Sequence, residues 1–133
     1  MNNVMNDTTK YILTAILGIV SGVFGGGLGL GVSTLAVPGF LLLGLVPNSK
    51  SSIGTTLVAS PANWPAVYKY YKEGYANLTL GLIYVAFYIS FSYFGAKINS
   101  EISETLTNYL VSGIHCLIAV YFLYRAVSPN KKS

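Results

Sequence analysis

The chain has 133 residues, of which 53% are hydrophobic and 9% charged, with a net charge of +4. A soluble domain carries roughly 25% charged residues, so this composition describes an integral membrane protein with little mass outside the bilayer. The cations (Lys10, Lys50, Lys69, Lys72, Lys97, Arg125, Lys131 and Lys132) are scattered over the ends of apolar runs, which excludes a nucleic-acid groove, and a lone cysteine, Cys116, excludes a disulfide framework or a cysteine metal cluster.

A short polar tail, residues 1–10, precedes a stretch from Tyr11 to Ser49 without a charged side chain. One helix over that stretch would be nearly 60 Å long, against a hydrocarbon core of about 30 Å. Within it stand Gly25, Gly26, Gly27, Gly29 and Gly31, followed by Pro38. Each glycine costs about 1 kcal/mol relative to alanine inside a helix, so the chain is expected to break there into half-helices, Tyr11 to Phe24 and Val32 to Leu45. Backbone freed at membrane depth needs protein or a watery cavity around it, so the break should face inward. A second reading uses the same residues: Gly18, Gly22 and Gly26 recur every four positions, as in a small-residue stripe that lets two helices approach closely. No small-x-small cleavage site follows the first apolar run, so a cleaved signal peptide is not expected.

A loop at Val46 to Lys50 leads to a second apolar run, Ser51 to about Tyr71. Ser52, Thr55, Thr56, Ala59, Ser60 and Asn63 share one helical face there. Pro61 and Pro65 disturb the same helix, and the residue before each is pushed away from helical geometry. The hydroxyl row serves either to line a pathway or to join helices by hydrogen bonds. A turn at Lys72 to Asn77 opens a third span ending near Lys97, and the loop with Glu101 and Glu104 leads to a fourth, ending near Val127. The sequence thus predicts an all-α integral membrane protein with one glycine-broken or re-entrant segment plus three transmembrane helices. These form a single half-domain over residues 11–127, followed by a basic tail at 128–133. Many of the tyrosines (Tyr68, Tyr70, Tyr71, Tyr75, Tyr109, Tyr121 and Tyr124) lie near span ends, as an interfacial belt requires.

The first segment decides the topology. As a re-entrant hairpin it leaves Lys10, Lys50 and Lys97 on one side and the other five cations opposite; as a crossing segment it moves Lys10 to the larger group. Either way the C-terminus is expected in the cytoplasm. The weaker bias of the hairpin also permits a dual-topology dimer.

No Asp or Glu falls clearly within a span, which disfavours proton-coupled export of cations. Hydroxyls, amides and backbone N–H groups suit a small anion, and Lys50 stands at the mouth of the second span either as an added cation or as an interface marker. The expected substrate contacts are Gly25, Gly26, Gly27, Gly29, Gly31, Thr55, Thr56, Ser60 and Asn63. His115 and Cys116 are neighbours pointing about 100° apart on a helix, a poor dyad; His115 reads as a satisfied intramembrane histidine or a proton relay. Nothing pairs a nucleophile with a base or forms a phosphate loop, so no enzyme, cofactor or metal is expected.

Together, Gly25-Gly26-Gly27-Leu28-Gly29-Leu30-Gly31, Pro38, Pro47 and Gly54-Thr55-Thr56, with the turn Tyr68 to Asn77 and Gly95-Ala96-Lys97, resemble one half of the TauE/SafE family of sulfite and organosulfonate exporters. The resemblance covers about Leu13 to Val127. It implies a half-size permease in the cell (plasma or inner) membrane, multi-pass, that moves a small sulfur-containing anion. Family members usually hold two such halves, so it also implies a homodimer or a complementary half-transporter as partner. The rival expectations are a non-transporting accessory or assembly subunit and a small channel.

Overall fold

The computed structural model describes residues 5–128; Lys131 and Lys132 of the expected basic tail lie outside them. The fold is all-helical, with six α-helices among the described residues: α1 (Asp7–Leu28), α2 (Ala36–Leu42), α3 (Ser49–Thr56), α4 (Trp64–Lys72), α5 (Leu78–Glu101) and α6 (Glu104–Val127). Three of them, α1, α5 and α6, are long and apolar enough to cross a membrane.

Side-chain caps fix where the helices begin. Asn6 accepts from the Thr9 N–H at 2.8 Å, Asn48 from Ser51 at 2.9 Å, Asn77 from Leu80 at 3.1 Å, and Ser103 from Leu106 at 3.2 Å. Each satisfies an amide that the first helical turn leaves unpaired.

The expected half-helix Tyr11 to Phe24 is longer than its sequence suggested. Helix α1 continues through Gly25, Gly26 and Gly27 and stops only at Gly29, whose φ of 66° is left-handed and whose N–H bonds back to the Gly25 carbonyl. The glycines stay helical because α5 lies against them. A Cβ on Gly18 would meet the Tyr84 carbonyl oxygen at 2.7 Å, one on Gly22 the Tyr88 carbonyl at 2.6 Å, and one on Gly27 the Gly95 carbonyl at 2.8 Å. Contacts this close gather van der Waals attraction that offsets the propensity loss of about 1 kcal/mol per glycine. Gly31, with φ of 76°, completes the reversal.

Those pairings also set direction. Residues 18, 22 and 27 meet residues 84, 88 and 95 in the same order, so α1 and α5 run parallel. The chain between them must return to its starting end. It does so through α2, where Gly39 abuts Leu17, and reaches the level of Lys10 at Leu45 and Val46, which share a cavity with Lys10 and Leu78. Phe40, Leu17, Ala59, Leu80 and Tyr84 form the buried core between these elements.

The stretch Ser51 to Tyr71, expected as one span, is instead two short helices folded on each other. Helix α3 ends in a 3-10 turn, Leu57–Ala59, and Ser60 is extended (φ −121°, ψ 103°), as the residue before Pro61 should be. A second 3-10 turn, Pro61–Asn63, leads into α4. Pro65 does not disturb a helix: it occupies the first turn of α4, where its missing N–H is harmless. The hairpin brings Tyr70 against Gly54 and the Lys50 ammonium 5.6 Å from the Tyr75 ring. Both its ends therefore lie at the end of the bundle where α1 begins.

Helix α6 turns back after Ile102 and Ser103. Leu110 borders a cavity with Phe24, Leu28 and Ile98, whereas Phe122 reaches the core cluster. Arg125 thus joins Lys10, Lys50, Lys69 and Lys72 at one end, with Lys97, Glu101 and Glu104 at the other. Both charge distributions expected from the sequence are corrected by this: the α3–α4 hairpin keeps Lys69 and Lys72 beside Lys50.

Candidate functional site

The polar groups inside the bundle gather around two interruptions of helix, residues 29–35 and 57–63, that flank the first half of α5. At the first, the Tyr84 hydroxyl donates to the Val32 carbonyl at 2.6 Å, and the Tyr84 ring lies between Phe40 (5.7 Å between centroids) and Tyr88 (5.8 Å). A carbonyl freed from helical pairing is thereby satisfied by a side chain from 52 residues away. At the second, the Trp64 indole N–H donates to the Val58 carbonyl at 3.2 Å, and the Asn63 amide to the Ser60 hydroxyl at 3.0 Å. Ala59, beside this second interruption, belongs to the same buried cluster as Tyr84.

Helix α3 connects the two. Ser52 donates to the Val37 carbonyl of α2 at 2.7 Å, and Thr55 accepts from the Asn77 N–H at the start of α5 at 3.0 Å. Among the described residues, Thr56, also at 0% exposure, has no hydrogen-bond partner for its hydroxyl, and neither has Ser21 of α1. A buried hydroxyl without a partner carries an uncompensated desolvation cost.

The sequence-predicted residues fall into three groups. Gly25, Gly26 and Gly27 lie on the α1–α5 contact, where Tyr88, Ser92 and Gly95 occupy the space a side chain would need. Gly29 and Gly31 form the reversal at the first interruption. Thr55, Thr56 and Ser60 line the α3 side of the second, whereas Asn63 is exposed at its outer edge and bonded to Ser60. Tyr84 was missed; the signal was a tyrosine well inside an apolar run and away from the interfacial positions the others hold.

Three further features frame the site. An open apolar groove of about 520 Å³ runs along the surface beside the second interruption, lined by Val58, Pro61, Trp64, Leu82 and Ile89 among others. An open cleft of about 770 Å³ at the basic end is lined by Lys50, Lys69, Tyr70, Glu73 and Tyr75. His115 and Cys116 are both exposed on α6. Among the described residues, Asp7, Glu73, Glu101 and Glu104 all sit at or beyond helix ends, and no group of His, Cys, Asp or Glu could hold a metal ion. What the interior offers a ligand is hydroxyl and backbone hydrogen bonding without negative charge.

The sequence matches the family described as sulfite exporter TauE/SafE over residues 13–133. The chain belongs to that family. It is 34% identical over 120 residues to the probable membrane transporter protein YdhB of Bacillus subtilis (strain 168), an alignment covering 89% of this chain and 46% of that protein. The chain therefore spans about half the length of this curated relative. No solved structure matches it. TauE/SafE is a family of membrane transporters, which agrees with the long apolar helices.

Proposed function

We propose that the chain is a half-size permease that moves a small anion, sulfite or an organosulfonate, across the cell membrane. The observation that carries the reading is the pairing of two helix interruptions around Tyr84 with a buried, unpartnered Thr56 hydroxyl, in an interior without a carboxylate. An anion needs hydrogen-bond donors and tolerates no buried negative neighbour. Membership of a sulfite exporter family supports the sulfur chemistry, and the half-length match to the relative supports a second half, from another copy or a complementary chain, to complete the pathway.

Orientation follows from charge. Among the described residues, Lys10, Lys50, Lys69, Lys72 and Arg125 share one end and only Lys97 stands at the other, so the positive-inside rule assigns the basic end to the cytoplasm. Both the first and the last long helix then have their outer ends inside, and the α3–α4 hairpin enters from the cytoplasm. The basic cleft, with Lys50 and Lys69, lies where an exported anion would first arrive.

Uptake of labelled sulfite by proteoliposomes holding the purified chain, with and without a pH gradient, tests the proposal. Saturable flux is the expected result. Flux that rises without saturation would replace the carrier by a channel, and no flux from folded, inserted protein would favour an accessory subunit in which the glycines serve packing alone.

A further inference from the structure

Helix α6 makes little contact with the rest of the bundle, and none of its residues is buried. Its half-buried positions, Thr107, Val111, Ile114, Ile118, Tyr121, Phe122 and Arg125, fall on one face and mark the side turned toward α1 and α2. A different row, Asn108, Ser112, His115 and Ala119, recurs at spacings of four, three and four and is exposed throughout. Those residues lie on a flank of α6, about 100° around the helix from the half-buried side.

Such a row does not suit hydrocarbon. The Ser112 hydroxyl donates to the Asn108 carbonyl at 2.7 Å, and His115 Nδ1 is 2.8 Å from the Val111 carbonyl. Among the described residues neither the Asn108 carboxamide nor His115 Nε2 makes a hydrogen bond, and both residues are exposed. Polar side chains within membrane helices almost always face a bundle interior or a watery cavity, and amides and imidazoles join helices by hydrogen bonds. Something must cover this face.

We propose that the Asn108–Ser112–His115 row is the seam at which two copies of this chain pair, α6 against α6. Two properties single out a second copy. The charge asymmetry described above, on which this inference rests, inserts every copy the same way, so the two-fold axis runs along the membrane normal and the α6 helices meet in parallel. In a parallel pair each residue faces its own counterpart, and a carboxamide is the side chain that pairs with itself, donating through its N–H and accepting through its carbonyl. The small residues Ser112 and Ala119 on the row let the helices approach.

Disulfide formation in membranes tests the seam. In a Cys116→Ala background, Ser112→Cys should cross-link the chain to a dimer on mild oxidation, whereas Leu117→Cys, on the opposite face of α6, should not. Adding Asn108→Leu should weaken association roughly tenfold, read as dimer fraction over a dilution series in detergent. Equal cross-linking at both positions, or a monomer whose Ser112→Cys thiol reacts with a membrane-impermeant maleimide, would overturn the proposal; the second result would make the row a water-filled pathway. The readout needs no flux, so it stands or falls apart from the transport assay.

Discussion

Thr55 and Thr56 are adjacent and equally buried at 0% exposure, yet among the described residues only the Thr55 hydroxyl has a hydrogen-bond partner. Valine keeps the branched shape and removes the hydroxyl, so the two substitutions should act in opposite directions. Thr55→Val leaves the Asn77 N–H without its acceptor and unties α3 from the start of α5, at a cost of about 1–3 kcal/mol. Thr56→Val removes an oxygen whose desolvation nothing offsets, a gain of about 1 kcal/mol or more. The variants should therefore differ by roughly 2–4 kcal/mol. Thermal unfolding in detergent, followed by the fluorescence of Trp64 at the neighbouring interruption, reads that gap. Labelled-sulfite uptake by the same preparations reads function. A hydroxyl kept unpaired for a ligand predicts that Thr56→Val unfolds at higher temperature and transports less, the trade-off expected where a site is held in readiness. Thr56→Val as unstable as Thr55→Val would mean a structural hydroxyl. Thr56→Val stabilised with full flux would remove it from the anion's path.

Gly22→Leu should prevent α1 from seating on α5, since even a Cβ there would stand 2.6 Å from the Tyr88 carbonyl; the yield of folded, non-aggregated protein in size-exclusion chromatography should fall. Gly113→Leu on α6, where nothing lies within 4 Å, should leave that yield unchanged. Tyr84→Phe removes the donor to the Val32 carbonyl and should cost about 1–3 kcal/mol, appearing as faster amide hydrogen exchange over residues 29–35 and not over α6. For orientation, Glu101→Cys in a Cys116→Ala background should react with a membrane-impermeant maleimide on intact cells, and Glu73→Cys should react only after lysis. Labelling of Glu73→Cys from outside would reverse the assigned topology.

Much of this fold was written in local pattern. Composition and the long uncharged runs determined an all-helical membrane protein, and the glycine cluster located the first reversal to within a few residues, because left-handed backbone at Gly29 and Gly31 is open to glycine and strained for other residues. Pro61 likewise announced the second interruption, since the residue before a proline leaves helical geometry. Tertiary structure decided the rest. Whether Gly25, Gly26 and Gly27 break or pack depends on α5, more than 50 residues later, presenting backbone at Tyr88, Ser92 and Gly95 for close approach; a propensity of about 1 kcal/mol per residue cannot foresee that contact. The same holds for the parallel course of α1 and α5, and for the folding of Ser51 to Tyr71 back on itself. That hairpin moves Lys69 and Lys72 to the end where Lys10 stands, and so decides which groups face the same side of the membrane. A one-dimensional count of charges assigns sides by counting crossings, and only the packing of distant segments reveals which apolar runs cross.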